Sequence, residues 1–513
     1  MRRKTTTLRT VFILTLTAVL SGGCWIGSAH QAAAFFRMGG GHSGSAHVSG
    51  HAFGGRNGMR EHGSSRISRG WRHGELPSRG REGHGGRGVR YFPHHWVFGH
   101  GAGRGIGPLG PGGGGDGLSG GGRVGGVPPA GERRFVPDEV LVEFQPRVSP
   151  QTIARFARVF NLTQLDSQRF ALLGGATFYR WRVAPGSSVP GMVARLQNQV
   201  IVASAQPNYL FTVQDELSQT RPAAAGDEAQ YALRTLQIEQ AQQIATGKDV
   251  SVAVIDSEIE ASHPDLVGSI KKKFDALGGA GSAQLHGTAI AGAIAAHGKL
   301  LGIAPGTGVL AARAFDDSGG EAKGTSFAIY KSLQWAADNG ARVVNMSFVG
   351  PFDPDLSRML ASADGKGIVL IAAGGNGGPD SGPQYPASDA NVIAVAATDS
   401  KDGLFSLDNR NPYIALAAPG VDILSLAPDD GYQESTGSSI AAAHVSGIVA
   451  LMLQVRPSLK PRDVRAILTD TAKPLVAGEN SNFEPRIANA YLAVKSAENV
   501  VVSGVAGHEQ AKR

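Results

Sequence analysis

Cysteine is almost absent from this 513-residue chain, which has Cys24 as its single thiol. One cysteine cannot form a disulfide within the chain, so a disulfide-stapled scaffold is excluded. The apolar run near the N-terminus, Val11–Leu20, is shorter than the roughly 20 residues that a membrane-spanning helix needs. We therefore expect no membrane span once this segment is removed.

The N-terminus has the pattern of an export signal. Arg2, Arg3 and Lys4 precede the apolar run, and small residues follow it. Cleavage after the alanines at 32–34 predicts a signal peptide over residues 1–34 and a secreted or periplasmic protein without a thiol. The alternative is a lipoprotein signal ending at Cys24, but Leu20 lies one place too far from that cysteine. We favour simple cleavage.

Lysine is absent between residues 35 and 134, and acidic residues are scarce there. This stretch has 14 Arg and five acidic residues, a net charge of +9, and the first 34 residues add +4. Because the whole chain is only +7, residues 135–513 carry −6. The basic character belongs to the N-terminal region, and we expect no nucleic-acid partner.

Residues 35–132 are rich in Gly, His, Arg and Ser and have no apolar period, which predicts a disordered tract. Ten of the 15 His residues lie between His30 and His100. The tract could capture metal ions or attach the protein to an acidic surface. A soluble spacer is the favoured interpretation, because the His spacings lack the regularity of a structural metal site.

The pattern of residues 133–214 predicts that this segment forms a small α+β domain. A helix should begin at Ser149-Pro150, a capping serine followed by a first-turn proline. The order of the elements is β-α-β-β-α-β, which is typical of a two-layer ferredoxin-like domain. Apart from that helix, the elements with predicted bounds are strands at Val140–Phe144, Thr177–Val183 and Val200–Ala203 and a helix at Val189–Leu196, and one strand of the order has no predicted bounds.

Residues 231–497 predict an α/β domain with a doubly wound, mostly parallel sheet, because the strands are apolar on both faces. A polar linker at 215–230 precedes this domain and a tail at 498–513 follows it. The predicted strands are Val250–Ile255, Val309–Ala314, Arg342–Met346, Ile368–Ala373 and Val392–Ala396. The predicted helices are Thr325–Asp338, Ile440–Val455 and Pro461–Thr471.

Three segments carry residues suited to nucleophilic catalysis. Asp256 ends an apolar strand, His286 starts a helix of small residues, and Ser439 lies in the first turn of another such helix. A buried carboxylate can orient an imidazole, and a helix N-terminus favours developing negative charge. Each segment alone is also typical of an ordinary cap or turn, so only the combination indicates catalysis.

In this order and spacing, the segments resemble the Asp, His and Ser motifs of subtilisin-like serine proteases, the subtilases. The resemblance spans residues 228–497, and residues 134–214 are similar to the inhibitory propeptides of that family. It implies a serine endopeptidase with Asp256, His286 and Ser439 as its triad. It also implies protein or peptide substrates and a zymogen inhibited by its own propeptide.

The resemblance implies further site residues. Asn376, within the run from Ala372 to Gly377, corresponds to the side-chain donor of the oxyanion hole. Autocleavage is expected in the region 214–230, after Ala223, Ala224 or Ala225. The substrate-binding residues it implies are Ser347, Phe348, Val349, Ala373, Gly374 and Gly375.

Several residues depart from the family pattern, which usually has Gly at the positions of Glu258 and Val349 and Pro at that of Ala443. Ala289 likewise replaces a His of the second motif, and Ser438 replaces Thr before the nucleophile. The isopropyl group of Val349 should narrow the primary pocket. We therefore predict a preference for small or medium residues before the scissile bond.

No metal or other cofactor is expected. Asp265 matches a calcium ligand of the family, but the loop that would supply further ligands is shortened to residues 297–300 and contains Lys299. One alternative function is a catalytically degenerate subtilase that acts as a binding module or scaffold. Another is an esterase that uses the same triad.

Overall fold

The computed structural model describes residues 124–213, 216–217, 230–279, 281–316, 322–475 and 485–499. All of these belong to one compact unit, Gly112–Arg513. The predicted signal peptide with Cys24, residues 35–123 of the predicted tract, most of the linker and the tail beyond Asn499 lie outside the described residues.

The first domain has the predicted β-α-β-β-α-β order, preceded by a short strand at Val124–Gly125 that pairs with its last strand. Residues 124–132 were predicted to belong to the disordered tract, and that boundary is wrong because this pairing makes them part of the domain. Helix α1 begins at Pro150, and the Ser149 hydroxyl accepts a hydrogen bond from the Thr152 N–H at 3.2 Å. The elements are β1 (Val124–Gly125), β2 (Phe135–Phe144), α1 (Pro150–Phe160), β3 (Thr163–Phe170), β4 (Ala176–Arg182), α2 (Val189–Gln197) and β5 (Val202–Thr212), with a 3-10 turn at Ala171–Leu173.

Both faces of this domain's sheet are covered. Val140 and Val142 of β2 lie in a cluster with Phe156 of α1, whereas the intervening Leu141 belongs to the core shared with the second domain. Phe178 of β4 packs edge-on against Tyr330 of the second domain, with ring centroids 6.1 Å apart. The sheet is therefore sandwiched between its own helices and the second domain.

The second domain is built on a parallel sheet in the order β15-β14-β13-β12-β7-β9-β8, as predicted for an α/β domain. Strand β6 (Glu216–Leu217) precedes this domain in the chain. Its strands are β7 (Ser251–Asp256), β8 (Ile270–Asp275), β9 (Gly308–Arg313), β10 (Phe315–Asp316), β11 (Lys323–Thr325), β12 (Val343–Met346), β13 (Val369–Ala373), β14 (Val392–Thr398), β15 (Ile414–Pro419), β16 (Ile423–Ala427) and β17 (Gly431–Thr436). Its helices are α3 (Tyr231–Thr235), α4 (Ile238–Gln242), α5 (Leu285–Ala295), α6 (Ser326–Asp338), α7 (Pro354–Gly365), α8 (Ser438–Val455), α9 (Pro461–Thr471) and α10 (Ala490–Asn499).

Helix α8 is the hydrophobic centre of the second domain. In the part of the chain that the structure describes, it is the one helix long and apolar enough to cross a membrane, but 89% of it is buried inside the protein. It packs against β12, β13, β14 and β15. Its apolar character is therefore accounted for by the core of the domain.

Strand β5 joins the two domains into a continuous sheet, in the order β10-β11-β5-β2-β4-β3. The sequence predicts that this strand ends at Ala203, before Gln206-Pro207-Asn208-Tyr209. The observed strand continues to Thr212, so the predicted end is wrong. Pairing with β2 on one side and β11 on the other keeps this segment extended.

Polar side chains of β5 form hydrogen bonds at the starts of two helices in the second domain. The Asn208 Oδ1 accepts a hydrogen bond from the Phe327 N–H of α6 at 3.1 Å. The Gln206 Nε2 donates to the Oδ1 of Asp353, the N-cap residue of α7, at 2.8 Å. The first N–H groups of a helix have no partner within the helix, and the Asn208 amide oxygen satisfies one of them in α6. Gln206 instead holds the Asp353 carboxylate, which accepts from the Asp355 and Leu356 N–H groups of α7.

Candidate active site

Asp256 and His286 form a buried pair at the carboxyl end of the central sheet. Asp256 is the last residue of β7 and His286 the second of α5, and both side chains are at most 8% exposed. The His286 Nδ1 lies 2.6 Å from the Asp256 Oδ1, which also accepts a bond from the Ser257 N–H at 2.7 Å. An ionised carboxylate can only accept, so Nδ1–H donates and Nε2 is the basic nitrogen.

The small residues of α5 allow this helix to approach its neighbours closely. A Cβ atom at Gly287 would lie 2.5 Å from the Ser257 carbonyl oxygen, and one at Gly292 would lie 2.5 Å from the Leu426 side chain. The Gly287 N–H donates to the Ser257 hydroxyl at 3.0 Å. The position of His286 therefore depends on the absence of side chains at these two glycines.

Ser439 is the second residue of α8 and is buried. Its carbonyl oxygen accepts a hydrogen bond from the Ser347 hydroxyl at 2.9 Å. The Asn345 Nδ2 donates to that same hydroxyl at 2.8 Å, while its Oδ1 accepts from Ser446 of α8 at 2.9 Å. Hydrogen bonds thus connect the start of α8 to the end of β12. Strand β12 is the direct neighbour of β7 in the sheet.

The side chain of Asn376 is held by the residue before Ser439. Its Oδ1 accepts hydrogen bonds from the Ser438 N–H at 3.0 Å and from the Ser438 hydroxyl at 2.8 Å. The Ser438 Oγ in turn accepts from the Gly375 N–H at 3.1 Å. Because a backbone N–H must meet an oxygen, the amide orientation is determined, and Nδ2 is directed away from Ser438. Sequence reasoning treated Ser438 only as a substitution and did not identify this contact.

The six predicted substrate-binding residues lie on two neighbouring segments. Ser347, Phe348 and Val349 follow β12, and Gly374 and Gly375 follow Ala373 at the end of β13. Gly375 has a φ of +105°, and a Cβ atom there would lie 3.5 Å from Val349 Cγ1. The Val349 side chain therefore faces the segment that contains Gly375.

The charge of Glu258, two residues after Asp256, is paired. Its carboxylate forms an ion pair with Lys273 of β8. Its carbonyl oxygen accepts a bond from the Gln284 N–H at 2.9 Å, next to the start of α5. The negative charge that Glu258 adds, at a position where the family pattern has Gly, is therefore paired with the positive charge of Lys273.

The surroundings of Asp265 do not fit a calcium ion. Its Oδ1 accepts from the Lys299 N–H at 3.0 Å and from the Tyr432 hydroxyl at 3.2 Å, and its Oδ2 accepts from the Leu300 N–H at 2.8 Å. Calcium needs six or more oxygen ligands, whereas these neighbours present hydrogen-bond donors. Across the described ranges, no group of three or more His, Cys, Asp or Glu side chains could hold a metal ion.

A second histidine, His444, lies on α8 and has a different environment. Its Nδ1 lies 2.9 Å from the Pro419 carbonyl oxygen. Complete burial lowers the pKa of His444 to about 4, so the ring is neutral near pH 7. This residue therefore donates from Nδ1–H to the end of β15 and helps to position α8.

Comparisons with known proteins agree with this architecture. A profile of the subtilase family matches residues 247–491, and a profile of the fervidolysin N-terminal prodomain matches residues 123–208. The thermophilic serine proteinase of Bacillus sp. (strain AK1) is 32% identical over 371 residues, which cover 70% of this chain and 88% of that protein. Thermitase of Thermoactinomyces vulgaris is 34% identical over 274 residues, 52% of this chain and 96% of thermitase.

A solved structure shows the same fold. The crystal structure of fervidolysin from Fervidobacterium pennivorans matches with a TM-score of 0.62 and 22% identity. The match covers 72% of this chain and 62% of that chain.

Proposed function

The chain belongs to the subtilase family and is a serine-type endopeptidase with a prodomain, and from this premise we propose that Asp256, His286 and Ser439 are its catalytic triad. The observation that carries the proposal is the buried 2.6 Å hydrogen bond between His286 Nδ1 and Asp256 Oδ1. That bond holds the imidazole in the tautomer whose Nε2 can accept a proton.

In the proposed reaction, the Ser439 hydroxyl attacks the carbonyl carbon of a peptide bond while His286 Nε2 takes its proton. Collapse of the tetrahedral intermediate breaks the C–N bond, and His286 gives the proton to the leaving amine. Water then attacks the carbonyl carbon of the acyl-enzyme while His286 takes a proton from it. His286 returns this proton to the Ser439 oxygen as the ester bond breaks. Asp256 orients His286 throughout and stabilises its charged form.

Asn376 Nδ2 and the Ser439 backbone N–H are proposed to stabilise the oxyanion. The two bonds from Ser438 to Asn376 Oδ1 support this role, because they orient the amide before the substrate arrives. Ser347, Phe348, Val349, Ala373, Gly374 and Gly375 would form the substrate-binding cleft. Val349 would favour small or medium residues before the scissile bond.

We also propose that the protein is made as a secreted or periplasmic zymogen that processes itself, without a bound calcium ion at Asp265. The zymogen is supported by the prodomain match and by β5, which is paired into the second domain. Export is supported by the signal-like N-terminus. The hydrogen bonds that Asp265 accepts support the absence of calcium.

Labelling with a fluorophosphonate probe tests the proposed nucleophile. The processed protein should be labelled and should hydrolyse casein, and Ser439→Ala should lose both properties while keeping its circular dichroism spectrum. A folded protein that reacts with neither probe nor casein would instead be a binding module or scaffold. Turnover of p-nitrophenyl esters without cleavage of any protein or peptide would identify an esterase.

A further inference from the structure

The two glycines that precede Asn376 are held by a loop from another part of the chain. Gly374 and Gly375 follow β13 and are buried. The Gly375 carbonyl oxygen accepts a hydrogen bond from the Asn409 N–H at 3.0 Å. The Gly374 carbonyl oxygen accepts one from the Tyr413 hydroxyl at 3.3 Å. The loop between β14 and β15 therefore binds two successive carbonyl groups of the backbone that leads into Asn376.

Tyr413 has one hydroxyl proton, and its neighbours determine where that proton points. The hydroxyl oxygen accepts from the Asn409 Nδ2 at 2.8 Å and from the Gln384 N–H at 3.3 Å. The Asn409 amide cannot be reversed, because its Nδ2 also donates to the Gly382 carbonyl oxygen at 3.0 Å. Since two donors already point at the hydroxyl oxygen, its proton is directed to the Gly374 carbonyl. Burial raises the pKa of Tyr413 above its ordinary value of 10, so the proton stays in place at neutral pH.

The loop that carries these groups is anchored to the central sheet at both ends. Asp408 is fully buried, and its Oδ2 accepts a hydrogen bond from the Ala397 N–H of β14 at 2.7 Å. Tyr413 directly precedes Ile414, the first residue of β15. Asn409, only 1% exposed, lies between these two anchors. The hydroxyl of Tyr413 is therefore held in place by the sheet.

The backbone before Asn376 needs such support, because glycine loses more conformational freedom on folding than any other residue. Gly375 has a φ of +105°, which favours glycine, and a Cβ atom at Gly374 would lie 2.6 Å from the Ile414 side chain. Neither residue has a side chain that could fix its position. The hydrogen bonds that their carbonyls accept take over this task. Stabilisation of an oxyanion requires donors that are in place before the charge develops.

From these contacts we infer that Tyr413 is a positioning residue for the oxyanion hole. Its hydroxyl holds the Gly374 carbonyl, and the glycine backbone in turn holds Asn376 where its amide can donate to the oxyanion. Ser438 holds the Oδ1 of the same amide. Asn376 is thus fixed at its side chain by one segment and at its backbone by another. This role rests on the proposed function of Asn376, since Tyr413 acts through that residue and not on the substrate.

A double-mutant cycle on the processed protein tests this role. Tyr413→Phe removes the hydroxyl and keeps the ring, and it should lower kcat about ten-fold with little change in KM, less than the loss of the donor itself. In an Asn376→Leu background the same change should leave kcat unaltered, because the amide that Tyr413 positions is gone. Steady-state kinetics on a chromogenic peptide measure both effects, with kcat referred to the fraction of molecules that the fluorophosphonate probe labels.

Tyr231→Phe is the matched control. Tyr231 is buried in the same domain, and its hydroxyl lies 3.1 Å from the Thr398 carbonyl oxygen and 2.7 Å from that of Val421. Neither carbonyl belongs to the segment that contains Asn376. This variant should lower the Tm and keep the wild-type kcat. A fall in kcat equal to that of Tyr413→Phe would overturn the inference, because any lost hydroxyl bond would then have the same effect.

Asn409→Asp tests the direction of the bond without removing the hydroxyl. A carboxylate cannot donate, so it would accept the Tyr413 proton and turn it away from the Gly374 carbonyl. The kcat of this variant should fall as in Tyr413→Phe, again with little change in KM. A wild-type kcat in folded Asn409→Asp would contradict the assigned direction.

The remaining outcomes separate the positioning role from the proposed function. An unchanged kcat in Tyr413→Phe, or an equal loss in the wild-type and Asn376→Leu backgrounds, would overturn the role of Tyr413 and leave that of Asn376 intact. A normal kcat in Asn376→Leu alone would overturn both.

Discussion

The hydroxyl of Ser204 in the prodomain donates a 2.7 Å hydrogen bond to Oδ2 of Asp355 in the peptidase domain. Asp355 is fully buried, and its Oδ1 accepts from Arg358 at 2.8 Å. Arg358 also binds Glu143 of the prodomain at 2.9 Å. Burial, followed by repulsion from Asp353, raises the pKa of Asp355 from 3.8 to about 7.

This raised pKa predicts how the nicked complex responds to pH. We expect departure of the prodomain to expose Asp355, which loses its contact with Ser204, and greater exposure to water lowers the pKa of this carboxyl toward its ordinary value. The complex then binds more protons than the separated parts, so acid favours association. We expect the prodomain to be retained at pH 5.5 and released increasingly as the pH rises through about 7. Size-exclusion chromatography of the processed protein at pH 5.5, 7 and 8.5 measures the retained fraction.

The control variant must remove the charge of Asp355 and leave the charged and polar groups around it unchanged. Asp353 and Tyr330 are buried beside it, and Glu143 and Arg358 complete the charged neighbourhood. Asp355→Asn removes the titrating group but keeps an acceptor for Ser204, so retention should become less dependent on pH. An unchanged pH profile in this variant would assign the effect to another group.

Asn376→Leu should reduce kcat by about 10²–10³ with a small change in KM, because it removes one oxyanion donor. Ser438→Thr serves as the matched variant, since it keeps the hydroxyl that binds Asn376 Oδ1. We expect Ser438→Thr to retain most of the wild-type activity. Steady-state kinetics on a chromogenic peptide measure both, and an Asn376→Leu enzyme with normal kcat would remove Asn376 from the mechanism.

Val349→Gly should widen the pocket while retaining its backbone bridge to Thr212. Differences of this size in a pocket correspond to about 1–3 kcal/mol of discrimination. We expect the ratio of kcat/KM for a Phe peptide to that for a matched Ala peptide to rise at least ten-fold. If the wild-type enzyme already prefers Phe or Tyr strongly, Val349 does not restrict the pocket.

Gly287→Ala should displace α5, because the new Cβ atom would lie 2.5 Å from the Ser257 carbonyl oxygen. Overpacking of this kind costs about 1–3 kcal/mol of folding free energy. The variant should have a lower Tm and reduced labelling by the fluorophosphonate probe. Gly365→Ala is the control, since a Cβ atom there meets nothing within 4 Å and should leave both measurements near wild type.

Much of the fold was predictable because its signals are local. Ser149-Pro150 marks the start of α1, and α9 has the predicted bounds Pro461–Thr471. The strands of the central sheet are continuous apolar runs, as expected for strands covered on both faces. Strand β8, Ile270–Asp275, was not predicted, because it is the edge of the sheet and carries three consecutive exposed lysines.

The sequence by itself determined the family, the order of the two domains and the identity of Asp256, His286, Asn376 and Ser439 as candidates. These follow from short motifs and from apolar periodicity, which are properties of neighbouring residues. Only the tertiary structure decided that Ser438 orients Asn376 and that β5 continues past Pro207 to meet Val349. Both depend on hydrogen bonds between segments more than 60 residues apart in the chain. The pairing of one backbone with another leaves almost no mark on side-chain pattern, so it could be found only in three dimensions.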